Sequence, residues 1–339
     1  MSLIKVKSRG TDNVSGRRNI AINGAMQVAQ RGTSQTNISS AGYYTVDRFR
    51  VATANSAGRL TMTQETITDL PGFANAIKFA CTTADTSIAG GEYLQLSQYF
   101  EGQDLQQFKK GTSSAEKVTV SFYVKGNGNA TYMLEMFDGD NTRHNTQQFS
   151  VTSSWNRVSL TFDGDTTGAY DDDNALSLYL NFWLHAGSSY SGGSYSANTW
   201  AANSNSRRAA GISSFFSSTS NTFFITGLQM EVGDSASDFE HRSFAEELTL
   251  CQRYYQVIGF NIQDYPPTGG YLDCQINFPT EMRAVPSAAI TDGTKGGLSA
   301  TATATHNRTT NGCRVENQTS GNGSRAYHFG GSVAMSSEL

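Results

Sequence analysis

From residue 43 to residue 242 the apolar side chains recur at every second position, in short runs separated by turns, and no helical period intervenes. The runs are Tyr43–Val51, Gly58–Gln64, Ala76–Cys81, Tyr93–Phe100, Lys117–Lys125, Ala130–Phe137, Trp155–Phe162, Leu176–Leu184 and Asn221–Glu231. Clusters such as Lys125–Asn129 and Asp138–Asn141 supply the Gly, Asn and Asp that turns require. An alternating strand has one face to bury. About nine such strands, with no helices between them, bury it most simply against one another. The pattern predicts an all-β chain built on an antiparallel two-sheet sandwich. Within it only Leu105–Phe108 reads as a turn of helix.

Composition supports this. Charged residues are 16%, while Gly (33), Tyr (15) and Phe (19) are plentiful, a balance suited to sheet with long turns. The formal net charge of −4 gives no electrostatic basis for nucleic acid or an anionic membrane as a main partner. No run approaches the roughly 18 apolar residues of a membrane span, and Met1–Lys7 holds no apolar stretch of a secretion signal. Cys81, Cys251, Cys274 and Cys313 form no C-x-x-C pair, and read as small buried hydrophobes in a reducing compartment.

Both ends differ from this body. Residues 1–20 are polar, with Lys5, Lys7, Arg9, Arg17 and Arg18 set against Asp12. Such a segment has too little apolar surface to fold alone and needs a surface to hold it. A neighbouring protein is the simplest candidate; its own domain is the alternative. Ser243-Phe244-Ala245-Glu246 is a capping box, followed by Phe244, Leu248, Cys251 and Tyr255 at helical spacing. That predicts a helix of about 13 residues packed on the sandwich. Pro266, Pro267, Pro279 and Pro286 mark a further change of character. Beyond it Asp273–Phe278, Ala288–Thr291, Gly297–Thr305, Cys313–Asn317 and Ala326–Phe329 read as a small β unit. A unit of roughly 80 residues is marginal alone, so trimerisation or packing on the larger domain is expected to support it.

Several blocks resemble phage tail-fibre and virion-appendage proteins that carry a carbohydrate-binding-module-like jelly roll. They are Arg18–Thr33 with Tyr44–Phe49, Tyr93–Gly102, Ser154–Val158, Phe223–Gly233, Ser237–Ser243 and Glu246–Gln256. Phe278–Pro286 is similar to the start of a C-terminal module common in the same proteins. The resemblance spans roughly residues 18 to 256. It implies a jelly-roll body, a linking helix and a place on a virion.

Asp163, Asp165, Asp171, Asp172 and Asp173 crowd one turn. A glycosidase needs two carboxylates across a sugar cleft, one of raised pKa, and a solvated acidic loop offers neither. Asp163, Asp165 and Asp171 are the candidates for a structural calcium, which jelly rolls of the resembled class can hold; the spacing is not that of an EF-hand. His144, His185, His241, His306 and His328 stand far apart and match no metal or triad motif. Gly126-Asn127-Gly128 and Gly192-Gly193 read as turns rather than phosphate cradles. The loop 187–200 sets Tyr190, Tyr195 and Trp200 among Ser and Gly, with Asn198 between them. Rigid aromatics among small polar residues make binding surfaces, and sugar C–H faces stack on such rings. This loop is the candidate glycan surface; the alternative is that its aromatics fold back over the sandwich or fill a subunit interface. Trp155 and Trp183 lie in strand patterns and read as core.

The expectation is thus four segments: an anchoring segment 1–20, a jelly-roll sandwich 21–242, a linking helix 243–258 and a small C-terminal β domain 259–339. The expected function is that of a non-enzymatic virion protein assembled in the host cytoplasm, a homotrimeric tail fibre or appendage. Its N-terminal segment would bind other virion proteins and its β domains would bind host-surface polysaccharide, with no nucleic-acid partner and no membrane insertion. A capsid or tail decoration protein and a polysaccharide depolymerase are the alternatives.

Overall fold

The computed structural model describes residues 18–264, 270–296, 304–318 and 327–339. The body contains β1 (Ser34–Ile38), β2 (Gly42–Tyr43), β3 (Arg50–Ala54), β4 (Arg59–Thr66), β5 (Asn75–Thr83), β6 (Tyr93–Glu101), β7 (Val118–Gly126), β8 (Ala130–Asp138), β9 (Arg143–Val151), β10 (Asn156–Phe162), β11 (Leu176–Ala186), the one-turn helix α1 (Ser188–Ser191), β12 (Ala201–Ala202) and β13 (Thr222–Val232). Six strands form one sheet in the order β1-β4-β5-β13-β7-β10, and seven form the other, β12-β9-β8-β11-β6-β3-β2. All pairings in both are antiparallel. The two-sheet sandwich expected from alternation is the one observed. Leu60, Met62, Phe79, Phe122, Leu134, Leu180, Phe182 and Ile225 meet between the sheets without solvent exposure. Burying each such side chain contributes about 1.5–3 kcal/mol. The expected helical turn is a 3₁₀ turn at Gly102–Phe108.

β13 bulges between Thr226 and Gln229. Gly227 takes φ +64° there, and a Cβ would lie 2.8 Å from the Phe73 ring and 2.9 Å from that of Tyr123. Asn19 takes up the backbone groups beside the bulge: its Nδ2 donates to Leu228 O at 3.0 Å and its Oδ1 accepts from Met230 N–H at 3.0 Å.

The second unit follows helix α2 (Phe244–Gln252) and contains β14 (Tyr255–Asp264), β15 (Tyr271–Asn277), β16 (Ser287–Gly296), β17 (Ala304–His306), β18 (Gly312–Gln318) and β19 (Tyr327–Ser336). Two three-stranded sheets, β14-β19-β16 and β15-β18-β17, enclose a core that includes Leu272, Val315, Phe329 and Val333. The unit docks on the sandwich through cations. Arg253 grips Glu101 with Nε at 2.9 Å and Nη2 at 2.6 Å, and Arg283 Nη1 donates to Asn174 O at 2.9 Å. Glu338 pairs with Arg31 at 3.0 Å and with Arg48, whose guanidinium lies 3.3 Å over the Tyr254 ring. Burial alone would lower the Arg48 pKa, but the Glu338 carboxylate outweighs it and raises it.

Three expectations need correction. Tyr43–Val51 is not one strand: Asp47 and Arg48 turn inward and are buried, and Arg48 sits at φ +72°. The helix has nine residues and ends at Gln252, while β14 begins at Tyr255, inside the span expected to be helical. Its cap is as expected, with Ser243 Oγ accepting from Glu246 N–H at 3.3 Å, but Phe244 is 56% exposed. The buried positions are Glu247 and Cys251, because the Glu247 carboxylate accepts from Asn23 N–H at 2.5 Å and pairs with Arg242 at 3.2 Å. Trp155 lies just before β10, half-buried on the outside of the six-stranded sheet, with its ring 6.2 Å from Phe224 and Nε1 donating to Asp69 at 2.9 Å. Trp183 is buried as expected, in a smaller core cluster with Met133 and Ala209.

Cys81, Cys251 and Cys313 are buried, Cys274 is half-buried, and all four are free thiols. Among the described residues no helix is long and apolar enough to cross a membrane.

Candidate functional site

Alternation puts every second residue of β6, β8 and β11 on the outward face of the seven-stranded sheet. Register lines these residues up in rungs. Phe137 stands opposite Tyr179 and Tyr179 opposite Tyr99; Glu135 opposite Asn181 and Asn181 opposite Ser97; Met133 opposite Trp183 and Trp183 opposite Gln95.

A strap of residues 187–212 covers the Trp183 and Asn181 rungs. Tyr190 packs edge-on against Tyr93 at 5.4 Å and tilted against Trp183 at 5.2 Å. Arg208 reaches from the strap to Glu135, with Nε 2.6 Å from Oε1 and Nη2 2.8 Å from Oε2. Glu135 has no solvent exposure and also accepts from Asn181 Nδ2 at 2.9 Å and Trp183 Nε1 at 2.8 Å. Burial alone would raise its carboxyl, but Arg208 and the neighbouring donors outweigh burial and hold it at about 2. The charge is therefore fixed, and it pins the strap to the sheet.

The Phe137–Tyr179–Tyr99 rung lies at the margin of this cover, with Arg208 of the strap over Phe137 and Tyr99 buried. Tyr179 meets Phe137 at 5.4 Å and Tyr99 at 4.7 Å, both edge-to-face, and Phe137 and Tyr179 are half-buried. Guanidinium groups bound it on both sides. That of Arg208 lies 4.6 Å over Phe137, and Arg50 Nη1 donates to the Tyr99 hydroxyl at 3.0 Å. Apolar ring faces between fixed donors suit a ligand that itself alternates C–H faces and hydroxyls.

The residues singled out from the sequence are distributed differently. Tyr190 is spent on the strap. Tyr195 is 37% exposed and its hydroxyl accepts from Gln148 N–H at 3.0 Å. Asn198 and Trp200 fold back onto Asp163: Asn198 Nδ2 donates to Oδ2 at 3.0 Å and Trp200 Nε1 to the backbone O at 2.7 Å. The loop thus lies largely over the sandwich, the alternative weighed above. Asp163 pairs with Lys117 at 2.8 Å, Asp165 with Arg143 Nε at 2.7 Å, and Asp171 is exposed on its turn. The structure does not gather these three carboxylates, and among the described residues no group of three His, Cys, Asp or Glu side chains is placed to hold a metal.

Where a cation is called for, the chain supplies its own. Lys110 Nζ sits 2.6 Å from Asp138 Oδ2, 3.3 Å from Asp165 Oδ2, 2.8 Å from Thr167 O and 2.7 Å from Gly168 O. Lys5, Lys7, Arg9 and Arg17 lie outside the described residues, and Arg18 is half-buried at their boundary.

Sequence reasoning missed Glu135, Arg208, Phe137, Tyr179, Tyr99 and Arg50. One signal was available: the outward positions of β6, β8 and β11 are rich in Tyr, Trp, Phe, Asn and Gln, with Glu101 and Glu135 as the acidic members, where a solvated face would carry mostly Lys, Glu and Asp.

No protein-family model matches the chain, and no curated protein is similar to it. Solved structures are similar at low level. The enzymatically active domain of bacteriophage CBA120 tailspike protein 4 aligns at 12% identity and TM-score 0.32 over 63% of this chain and 21% of that one. A carbohydrate-binding module, TmCBM61, in complex with beta-1,4-galactotriose aligns at 12% identity and TM-score 0.32 over 64% of this chain and 100% of that one. A family 11 carbohydrate-binding module of Clostridium thermocellum Lic26A-Cel5E aligns at 10% identity and TM-score 0.29 over 59% and 99%. This chain thus spans about a fifth of the tailspike domain's length. Identities and scores this low leave function to be argued from the chain's own residues.

Proposed function

We propose that this protein is a phage virion component, a tail fibre or appendage, whose sandwich binds glycan on the host surface. The observation that carries the glycan reading is the Phe137–Tyr179–Tyr99 rung, three rings in register at the edge of the strap and flanked by Arg50 and Arg208. Rings preset by a sheet lose little entropy on binding, and a few oriented donors give direction. The virion assignment is supported by the sequence blocks named above. In this reading the N-terminal segment attaches to another virion protein, and a homotrimer supplies avidity for a repetitive polysaccharide. The protein acts by adhesion without catalysis; in support, Asp163 and Asp165 are tied to Lys117 and Arg143.

Binding of the full chain to host capsular or cell-wall polysaccharide tests this. Tyr179→Ala is expected to weaken binding about tenfold, since it removes the middle ring. Equal binding by the variant would remove the rung from the argument, and release of new reducing ends would replace adhesion with depolymerisation.

A further inference from the structure

At the opposite end of the sandwich from the C-terminal unit, the β7–β8 turn, the start of β8, the end of β9 and the segment 213–222 surround a polar cleft. It consists of two adjoining parts of about 270 Å³ and about 400 Å³ that share Asn129, Ala130, Val151 and Ser213. Each part alone lies near or just below the lower end of small-ligand sites. Its walls are carboxamides and hydroxyls, its floor includes Tyr132 and Val151, and among the described residues no Asp, Glu, Lys, Arg or His lines it.

The walls are braced from within. Asn127 Oδ1 accepts from Thr222 N–H at 2.9 Å, and Asn221 Nδ2 donates to Phe215 O and to Ser217 Oγ, both at 3.0 Å. Ser213 is stitched to β8: its N–H donates to Thr131 O at 2.7 Å and its Oγ accepts from Thr131 N–H at 3.0 Å. Beneath Ser214 lies a buried relay. His185 Nδ1 is 2.8 Å from Ser214 Oγ, and His185 Nε2 is 3.4 Å from Glu92 Oε2. Glu92 favours the imidazole proton on Nε2, which leaves Nδ1 to accept from the Ser214 hydroxyl. The Ser214 oxygen then keeps its lone pairs for whatever occupies the cleft. Asn129 is exposed at the rim, and among the described residues its carboxamide has no partner.

We infer that this cleft is a second binding site, for an uncharged saccharide unit. Paired donors and acceptors on oriented carboxamides and hydroxyls match vicinal sugar hydroxyls, and the apolar floor matches a C–H face. A carboxylate or sulfate would enter without a counter-charge and lose its hydration. The inference rests on the glycan reading and adds an orientation to it. β8 runs nine residues from Ala130 at the cleft to Asp138, beside the docking end, which separates the two ends by about 30 Å. This second recognition point then sits at the pole facing away from the C-terminal unit, whereas the Phe137–Tyr179–Tyr99 rung lies near the docking end.

Saturation-transfer NMR on the full chain, with neutral hexoses and N-acetylhexosamines set against uronic acids, tests it. A neutral sugar is expected to bind, Asn129→Trp to weaken that binding at least tenfold with unchanged thermal unfolding, and Tyr179→Ala to leave it intact. Asn129→Ala, which only removes the carboxamide, is the second variant and is expected to give a smaller loss. If Asn129→Trp and Asn129→Ala bind like the parent, the cleft is not the site, while the glycan reading stands. If uronic acids bind as well as neutral sugars, the ligand class is wrong. If the parent binds neither these sugars nor host polysaccharide, the glycan reading falls with it.

Discussion

Lys110 is the most exacting test of how this fold is held. Its side chain is 4% exposed, and its ammonium bridges Asp138, with no exposure, and Asp165, at 3%. Asp165 keeps another partner if the ammonium is lost, because Arg143 holds both its oxygens at 2.7 and 3.1 Å. Burial would raise the Asp165 carboxyl, and Arg143, the Thr167 N–H and Lys110 together hold it below the usual range. Asp138 Oδ2 has no other partner than Lys110 among the described residues. Lys110→Met, which keeps the stem and removes the charge, therefore leaves the buried Asp138 carboxylate without its cation, held among the described residues only by Asn141 at Oδ1. Breaking a buried pair from one side costs about 3–5 kcal/mol. For a chain of this size that lowers Tm by roughly 4–7 °C. Lys110→Ala removes the stem as well and leaves two carboxylates and two carbonyls around a vacated cage, an oxygen set suited to calcium. Calcium is expected to raise the Tm of Lys110→Ala while leaving the parent unchanged. Thermal unfolding by circular dichroism, with calcium and with chelator, reads both effects. A Lys110→Met protein that unfolds within about 2 °C of the parent would refute the reasoning.

Other perturbations have equally definite outcomes. Glu135 is held at about 2 against an ordinary 4.5, so its stabilisation is complete above pH 4.5 and is lost as pH falls toward 2. The loss amounts to about 3 kcal/mol. Urea unfolding across that window should show a slope that Glu135→Gln flattens, and an unchanged slope would deny Glu135 this role. Glu338→Ala leaves Arg48 buried without its carboxylate and is expected to cost about 3–5 kcal/mol by urea midpoint; a cost under about 1 kcal/mol would show that the docking of the C-terminal unit does not depend on that pair. Gly102→Ala would put a Cβ 1.9 Å from the Asp171 backbone oxygen. It should lower stability by about 1–3 kcal/mol, read in the same assay, and a neutral result would mean the 171 turn yields freely.

Much of the body was legible because its signals are local. Period-two runs such as Lys117–Lys125 and Asn221–Glu231 became β7 and β13, and Ser243 with Glu246 capped α2. Where alternation misled, a polar group had turned inward to a partner distant in sequence. Asp47 and Arg48 interrupt the expected strand at 43–51 because they meet Arg31 and Glu338, and Phe244 is exposed because Glu247 takes the buried side of the helix. Tyr255–Asp264 was missed as a strand because its pairing is with β19, residues away from any local signal.

The candidate site was less legible. The loop 187–200 was conspicuous for its aromatics, yet all four residues picked from it serve to fasten it down. The rings left beyond it, Phe137, Tyr179 and Tyr99, come from three strands and look unremarkable in each.

Alternation and capping alone determined that this chain is all-β, that its strands have one buried face, and that a short helix joins the sandwich to a second β unit. Both act through neighbours a few residues apart, so they are written in the order of residues. Only the tertiary structure decided which charges meet: Lys110 with Asp138, Arg208 with Glu135, Arg48 with Glu338. Those meetings depend on the order of strands across each sheet and on how the strap and the second unit lie against it. A period-two pattern reads the same for every strand order, so it cannot carry that information.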